Sequence, residues 1–309
     1  MPDADRSTRT RWWRHPWIRH LRLPFQALLS PIYLFGVAIG ADAAGVAAPL
    51  ADPRTWLGWI SLHVFLYGGT TAFNSYYDRD EGPVGGMLHP PAVDPGLLPF
   101  SLAVQGIGLL VAVAVGIPFT FAWLALFAVF TAYSHPSVRL KARPAAALAA
   151  IALGQGAVGF ALGWTAIAPP AGLATPASLA RMAVTALIVT GLYVVTQSYQ
   201  TAEDRARGDL TLPVLLGPRR ALRGSVAILA PGAAVLIADL ARLAGPVAAG
   251  GTAAFLAVIA GWVLAWASRF DEAETRRNFR VAMAITTSAS LGLTALLLGL
   301  LAGAGPSGA

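Results

Sequence analysis

Apolar residues run along this chain in long, nearly uninterrupted stretches, and polar residues gather in short segments between them. Stretches of roughly 20 apolar residues are long enough to cross a hydrocarbon core of about 30 Å as helices. The pattern predicts an all-α, polytopic membrane protein with about nine transmembrane helices. The predicted spans lie near 24–44, 56–77, 97–116, 118–134, 145–168, 178–199, 219–241, 246–268 and 280–303.

The segments outside these spans divide the chain simply. Residues 1–23 form a basic, aromatic arm, residues 24–303 a single transmembrane domain, and residues 304–309 a short tail. The arm carries arginines and tryptophans rather than a short apolar core with a cleavage site, which predicts a segment lying at the membrane face. Composition agrees, because 56% hydrophobic and 12% charged residues exclude an ordinary soluble domain. The absence of cysteine excludes disulfides, iron–sulfur clusters and cysteine zinc sites.

The basic residues predict an orientation. With the N-terminus in the cytoplasm, nearly all lysines and arginines fall on the cytoplasmic side, and only Arg54, Arg181 and Arg242 fall outside. This asymmetry predicts a cytoplasmic N-terminus and an outer C-terminus. The net charge of +7 then reflects topology and contact with anionic membrane lipid, so no nucleic-acid partner is expected. The Arg/Ala-rich composition favours a bacterial inner membrane.

A first acidic segment follows the second span, from Asn74 to Glu81. If the helix persists, Asn74 and Asp78 share a face, because they are four residues apart. Glycine and proline predict the helix end near 82–83, with Asp80 and Glu81 at that end. Magnesium takes one or two carboxylates together with phosphate oxygens, so the segment suits a phosphorylated ligand. A merely solvated helix end is the alternative.

A second acidic segment follows the sixth span. Gln197, Gln200 and Asp204 are spaced three and four apart and share a helical face, and Asp209 comes after a glycine. Arg205 and Arg207 could contact phosphate or simply follow the positive-inside rule. Both acidic segments are expected on the cytoplasmic face.

A basic turn lies between the fourth and fifth spans. It begins with Tyr133 at a helix end and contains Arg139, Lys141 and Arg143. Cations at this place could hold a diphosphate leaving group and neutralise its developing charge. The alternative is topological, because a short cytoplasmic loop is expected to be basic.

The fifth span contains several glycines around one amide, in the order Gly154, Gln155, Gly156, Gly159 and Gly163. Small residues let membrane helices approach closely, so the glycines predict tight helix packing. Gln155 could face a cavity and hydrogen-bond a substrate, because a buried amide needs a partner.

Together and in this order, the three polar segments resemble those of the UbiA superfamily of intramembrane prenyltransferases. The resemblance covers nearly the whole chain and implies nine transmembrane helices around a central cavity that opens to the cytoplasmic face. The matching positions are Asn74, Asp78, Tyr133, Ser134, Arg139, Lys141, Asp204, Arg205, Gly208 and 211–214. The chain departs from the family pattern where aspartates are usual, and has Ser75, Gly82, Gln197 and Gln200 instead.

The resemblance implies an enzyme that transfers a prenyl group from a prenyl diphosphate to an aromatic or other lipophilic acceptor. Magnesium would bridge the diphosphate to Asp78 and Asp204, with Asn74 as a further ligand. Two magnesium sites are implied, and glutamine is a weaker ligand for one of them. The further residues expected to bind substrate or promote ionisation are Tyr133, Arg139, Lys141, Asp80, Glu81, Gln155, Gln197, Gln200, Arg205 and Asp209.

Two alternatives remain open on the sequence. A terpene cyclase on the same fold would capture the allylic cation intramolecularly and would need no acceptor. A transporter or lipid-binding membrane protein would carry ionisable residues or broken helices near mid-membrane, whereas the charges here gather at one face.

Overall fold

The computed structural model describes residues 12–303, in which the regular secondary structure is helical apart from one isolated bridge between Val84 and Met87. Arg6, Arg9 and Arg11 of the predicted arm, and the predicted tail 304–309, lie outside the described residues. The division into arm, domain and tail therefore stays a prediction.

Fourteen α-helical segments are numbered here in chain order. They are α1 Pro16–His20, α2 Leu23–Gln26, α3 Ser30–Ala44, α4 Pro53–Trp59, α5 Gly68–Asp78, α6 Leu97–Val115, α7 Ile117–Ser134, α8 Pro144–Ile151, α9 Gly159–Ile167, α10 Pro176–Gln197, α11 Thr201–Arg207, α12 Leu212–Leu216, α13 Pro218–Ser268 and α14 Thr275–Gly303. Wider π-helical turns join α4 to α5 at Ile60–Tyr67 and α8 to α9 at Ala152–Val158.

The predicted all-helical membrane fold is confirmed. Within residues 12–303, seven helical segments are long and apolar enough to cross a membrane. The longest, α13, has 51 residues and is interrupted at Gly245, whose φ of 83° is not helical, between the predicted seventh and eighth spans. The helical stretch 53–78 covers the predicted second span but is not among the seven. The number of nine spans stays a prediction.

The helix ends bear on the acidic segments. α5 continues through Asp78, as predicted, but it ends there and not near 82–83, because Arg79 adopts a left-handed conformation with φ 52°. In the second segment, α10 passes through a tight turn at Ser198–Gln200 into α11, which ends where Gly208 has φ 75°.

The core surrounds α3, in which the residues from Ser30 to Ala41 are all buried. Elsewhere large apolar side chains point outward, including Leu110, Ile117, Phe121 and Val247, each at least 70% exposed. Apolar exposure on this scale is incompatible with water and is typical of a lipid-facing surface.

Helices α3 and α9 approach each other through reciprocal glycines, which confirms the predicted role of small residues. A methyl group added to Gly163 would overlap the backbone carbonyl of Tyr33, and one added to Gly36 would overlap the carbonyl of Phe160. Backbone carbonyls cannot rotate away as side chains do, so only glycine fits at both positions.

We expect Gly163→Ala to lower the thermal unfolding temperature in detergent. Overpacking a close helix contact costs typically 1–3 kcal/mol. The matched control is Gly299→Ala in α14, where nothing lies within 4 Å of an added methyl group. That substitution should leave the unfolding temperature unchanged or raise it slightly, because alanine is the better helix former. Equal unfolding temperatures for the two variants would contradict the close packing of α3 on α9.

An ionic cluster, formed by Arg181, Asp239, Arg242 and Asp42, lies at the end of the bundle opposite the acidic segments. Both oxygens of the buried Asp239 carboxylate accept hydrogen bonds from Arg181, one of them from Nε at 2.7 Å. Arg242 lies 3.9 Å from Asp239 and donates to Asp42 at 2.8 Å. The cluster therefore links α10, α13 and α3.

Candidate active site

One cavity receives both acidic segments and the basic turn. Its volume is about 290 Å³, its mouth is polar, and its interior is lined by apolar side chains from α3, α7, α10, α13 and α14. Ten of the predicted site residues line it, namely Asn74, Asp78, Asp80, Tyr133, Lys141, Gln155, Gln197, Gln200, Asp204 and Asp209. The helix ends thus place charge at the mouth and leave the interior apolar.

The first acidic segment is held against the basic turn. The Asp78 carboxylate forms an ion pair with the Lys141 ammonium group. Asn74, one turn earlier on α5, accepts a hydrogen bond from the Ser134 hydroxyl at 2.7 Å. Burial lowers the pKa of Lys141 to about 8. The predicted shared face of Asn74 and Asp78 is therefore turned towards the cavity, with a partly buried cation beside it.

The second segment reaches the cavity from the other side. Asp204 Oδ2 accepts a hydrogen bond from the Thr211 hydroxyl at 3.1 Å. Gln197 and Gln200 precede it along the same cavity wall. Asp209 binds Arg139 at 3.3 Å. The Asp204 carboxylate therefore has no cationic partner among residues 12–303 and can still bind a ligand, whereas the Asp209 carboxylate is paired with Arg139.

A network of two arginines and two acids joins the two segments. Arg207 of α11 donates to Asp80 at 2.6 Å and also binds Glu203. The Arg22 guanidinium lies 3.9 Å from the same Asp80 carboxylate. Arginines thus occupy the Asp80 carboxylate, and its expected role in substrate binding stays a prediction.

The interior of the cavity contains a few polar groups among apolar ones. The hydroxyls of Tyr133 and Tyr193 share a hydrogen bond of 2.5 Å. Gln155, whose position the sequence left open, lies on the π-helical turn between α8 and α9 and lines the cavity. The Thr286 hydroxyl is buried without a hydrogen-bond partner. A substrate that enters this space would meet these groups.

Three predicted residues do not line the cavity. Glu81 is exposed, Arg205 forms an ion pair with Glu272, and Arg139 is linked to the cavity wall through its ion pair with Asp209. Two arginines outside the predicted site do line it: Arg22, which the sequence left among the topological cations, and Arg207, for which a phosphate contact stayed open beside the topological interpretation. Counting cations by membrane side gives no signal that separates these arginines from the others.

The donor set fits a magnesium ion that shares its coordination with a phosphorylated ligand. The cavity wall carries the carboxylates of Asp78 and Asp204 and the amide of Asn74. Among residues 12–303, no three His, Cys, Asp or Glu side chains are grouped closely enough to hold a metal without help. Magnesium commonly takes one or two carboxylates and completes its shell with phosphate and water.

Comparison with proteins of known structure agrees with this architecture. A homologue of UbiA from Archaeoglobus fulgidus, solved bound to GPP and Mg²⁺, has a TM-score of 0.63 and 21% identity over 93% of this chain and 99% of its own. The same homologue bound to DMAPP and Mg²⁺ has a TM-score of 0.59 and 20% identity over 90% and 99%. A digeranylgeranylglyceryl phosphate synthase has a TM-score of 0.57 and 12% identity over 92% and 98%.

At these identities the structures show a shared fold, and no curated protein sequence matches the chain. The family model described as the UbiA prenyltransferase family matches residues 33–288, which is most of the chain and contains both acidic segments and the basic turn. This protein is a member of the UbiA prenyltransferase family.

Proposed function

We propose that this protein transfers a prenyl group from a prenyl diphosphate to a lipophilic, aromatic or similar acceptor within the membrane. The observation that carries the proposal is the convergence of Asp78, Asp204 and Lys141 at the mouth of one apolar cavity. Such a mouth suits a charged diphosphate, and such an interior suits its hydrocarbon tail. The relatives solved with GPP or DMAPP and Mg²⁺ support this reading.

Binding of the diphosphate would rearrange the mouth. Magnesium, when bound, would supply positive charge to the departing pyrophosphate. Asp78 and Asp204 would hold the ion, and Lys141 would turn from Asp78 towards the phosphate oxygens. Once Lys141 has turned, these cations would stabilise the charge that develops on the leaving oxygen as the carbon–oxygen bond breaks.

The chain's own residues would then protect the allylic cation. The bonding electron pair leaves with pyrophosphate, and the positive carbon remains in the apolar part of the cavity, away from water. Tyr133 and Tyr193 line this part and present aromatic faces that attract cations. A nucleophilic carbon or oxygen of the acceptor forms the new bond, and the acceptor loses a proton. Gln155 is proposed to hydrogen-bond the acceptor.

The orientation of the protein in the membrane is part of the same proposal. The mouth, the N-terminus and most cations would lie in the cytoplasm, and the C-terminus outside. A bacterial inner membrane is the proposed location, supported by composition.

The experiment is an incubation of the purified, detergent-solubilised protein with C10, C15 and C20 prenyl diphosphates, with and without Mg²⁺. Mg²⁺-dependent release of pyrophosphate is expected, and the organic product is then identified. A prenylated acceptor, drawn from added aromatic and lipid acceptors, supports the transferase. A cyclic hydrocarbon or alcohol formed without acceptor would instead indicate a terpene cyclase. Binding of diphosphates without release under any acceptor would contradict both enzymes and favour a lipid-binding protein.

A further inference from the structure

Two of the four positions where the chain departs from the family's aspartate pattern are met by charged side chains from elsewhere. Ser75 accepts a hydrogen bond from the Arg22 guanidinium at 2.7 Å. Gly82 faces the Glu203 carboxylate, which would lie 2.5 Å from a side-chain carbon at position 82. Where the pattern implies an aspartate at position 75, this chain thus presents a hydroxyl bound to a cation.

Arg22 is built into the cavity wall and is not a loose surface arginine. Its side chain is 5% exposed, it lines the cavity, and its Nε has no hydrogen-bond partner. Asp80 Oδ2, 3.9 Å from Arg22, is also buried without a hydrogen-bond partner. Unpaired donors on a buried guanidinium are unfavourable, so the structure leaves Arg22 in need of an anionic ligand.

The backbone at Arg22 supports the same reading. Its φ of 50° is left-handed, a conformation that residues other than glycine rarely adopt. The preceding helix is anchored to the loop after α5, since Trp17 donates to Asp94 at 2.7 Å and Arg19 to the carbonyl of His89 at 2.9 Å. These contacts hold α1 against the loop after α5, and Arg22 faces the cavity. Strained conformations of this kind concentrate at ligand sites.

We infer that the diphosphate is held by one magnesium ion, between Asp78 and Asp204, and by the Arg22 guanidinium in place of a second ion. The inference rests on the proposed function. It specifies how many magnesium ions the site holds and which residue takes the place of the second ion. A guanidinium offers two parallel donors to phosphate oxygens and keeps its charge at every relevant pH. A second Mg²⁺ would lack the aspartate at position 75 and would be repelled by Arg22.

The number of metal ions is the direct test. The intact protein is titrated with Mn²⁺ in the presence of a farnesyl thiodiphosphate that ionises slowly, and bound Mn²⁺ is counted by electron paramagnetic resonance. One tightly bound ion per protein is expected, without the spin–spin coupling of a metal pair. Two equivalent or coupled ions would overturn the inference while leaving the prenyl diphosphate site intact. No binding of the analogue would overturn the proposed function as well.

A variant series tests the residue. Arg22→Gln should weaken analogue binding at saturating Mn²⁺ at least about tenfold without changing the metal count, as expected for the loss of a charge-assisted contact. Arg22→Lys should recover part of the affinity, which a purely structural role would not predict. Arg223→Gln, an exposed arginine of α13, is the matched control and should bind like the unaltered protein. Unchanged affinity in Arg22→Gln would overturn the inference.

A double variant tests the exchange itself. Ser75→Asp combined with Arg22→Gln removes the guanidinium and adds the aspartate of the family pattern. This protein should bind a second Mn²⁺ with the analogue. The metal count is read only on protein that stays monodisperse and unfolds cooperatively. A count that stays at one in a folded double variant would contradict the assignment of Arg22 to the place of a metal.

Discussion

Replacing Asp78 by asparagine is expected to reduce the rate of pyrophosphate release by about 10²- to 10³-fold, the range for loss of one preorganised charge-stabilising group. The substitution keeps the size of the side chain but removes the charge that would hold the metal ion. It also removes the ionic partner of Lys141. The measurement is single-turnover release of pyrophosphate at saturating Mg²⁺ and prenyl diphosphate.

Asp42→Asn is the matched control. Asp42 lies at the opposite end of the bundle, and its ion pair with Arg242 is about half exposed, with side chains 42% and 48% accessible. Exposed ion pairs contribute little to stability, so this variant should fold and react normally. If Asp78→Asn releases pyrophosphate at the wild-type rate, as the control does, Asp78 has no part in the proposed chemistry.

Substitution of Leu297 by alanine is expected to shift the preferred prenyl chain towards longer substrates. Phe35, Leu236 and Leu297 line the deep end of the cavity and are no more than 5% exposed, so that end is closed. Along α10, the lining from Gln197 to Thr185 spans about 18 Å at 1.5 Å per residue. At about 1.25 Å per carbon, from tetrahedral bond geometry, this depth holds roughly 14 main-chain carbons, close to farnesyl and geranylgeranyl chains.

The measurement is kcat/KM for C15, C20, C30 and C40 prenyl diphosphates in the same detergent. Removing the leucine should raise the ratio of long to short substrates about tenfold, the range for a small change in a hydrophobic pocket. Leu291 lies on the same helix and is 59% exposed, so Leu291→Ala should leave the ratio unchanged. Phe35→Leu removes less volume and serves if Leu297→Ala is unstable. If neither cavity variant changes the dependence of kcat/KM on prenyl chain length, the closed end of the cavity does not determine which chain length is preferred.

The apolar runs predicted the helical membrane fold because lipid requires long segments whose backbone is internally hydrogen-bonded. The same pattern left a gap between the predicted spans 219–241 and 246–268, and the break at Gly245 lies in that gap. The π-helical turns, in contrast, escaped prediction. Hydrophobicity does not distinguish α from π winding, although the winding determines which side of Gln155 meets the cavity.

The site was predictable where helical spacing governs it. Asn74 and Asp78, and the face that carries Asp204, followed from residues three and four apart. Asp80 was less predictable, because the left-handed turn at Arg79 directs it towards two arginines distant in sequence. Arg22 was the hardest to recognise. Its neighbours in the arm are also arginines, and only tertiary contacts separate a buried ligand-facing cation from one that marks topology.

The ionic cluster at the other end of the bundle has a consequence for assembly of the chain in the membrane. Arg181 is synthesised 58 residues before the Asp239 that binds it. Until α13 enters the membrane, Arg181 is a charge near the bilayer edge without its carboxylate, and Asp239 alone would be equally unfavourable. Docking of α13 on α10 therefore neutralises both charges in one step. A chain truncated before Asp239 would keep Arg181 without its carboxylate, and we expect the cell to degrade it.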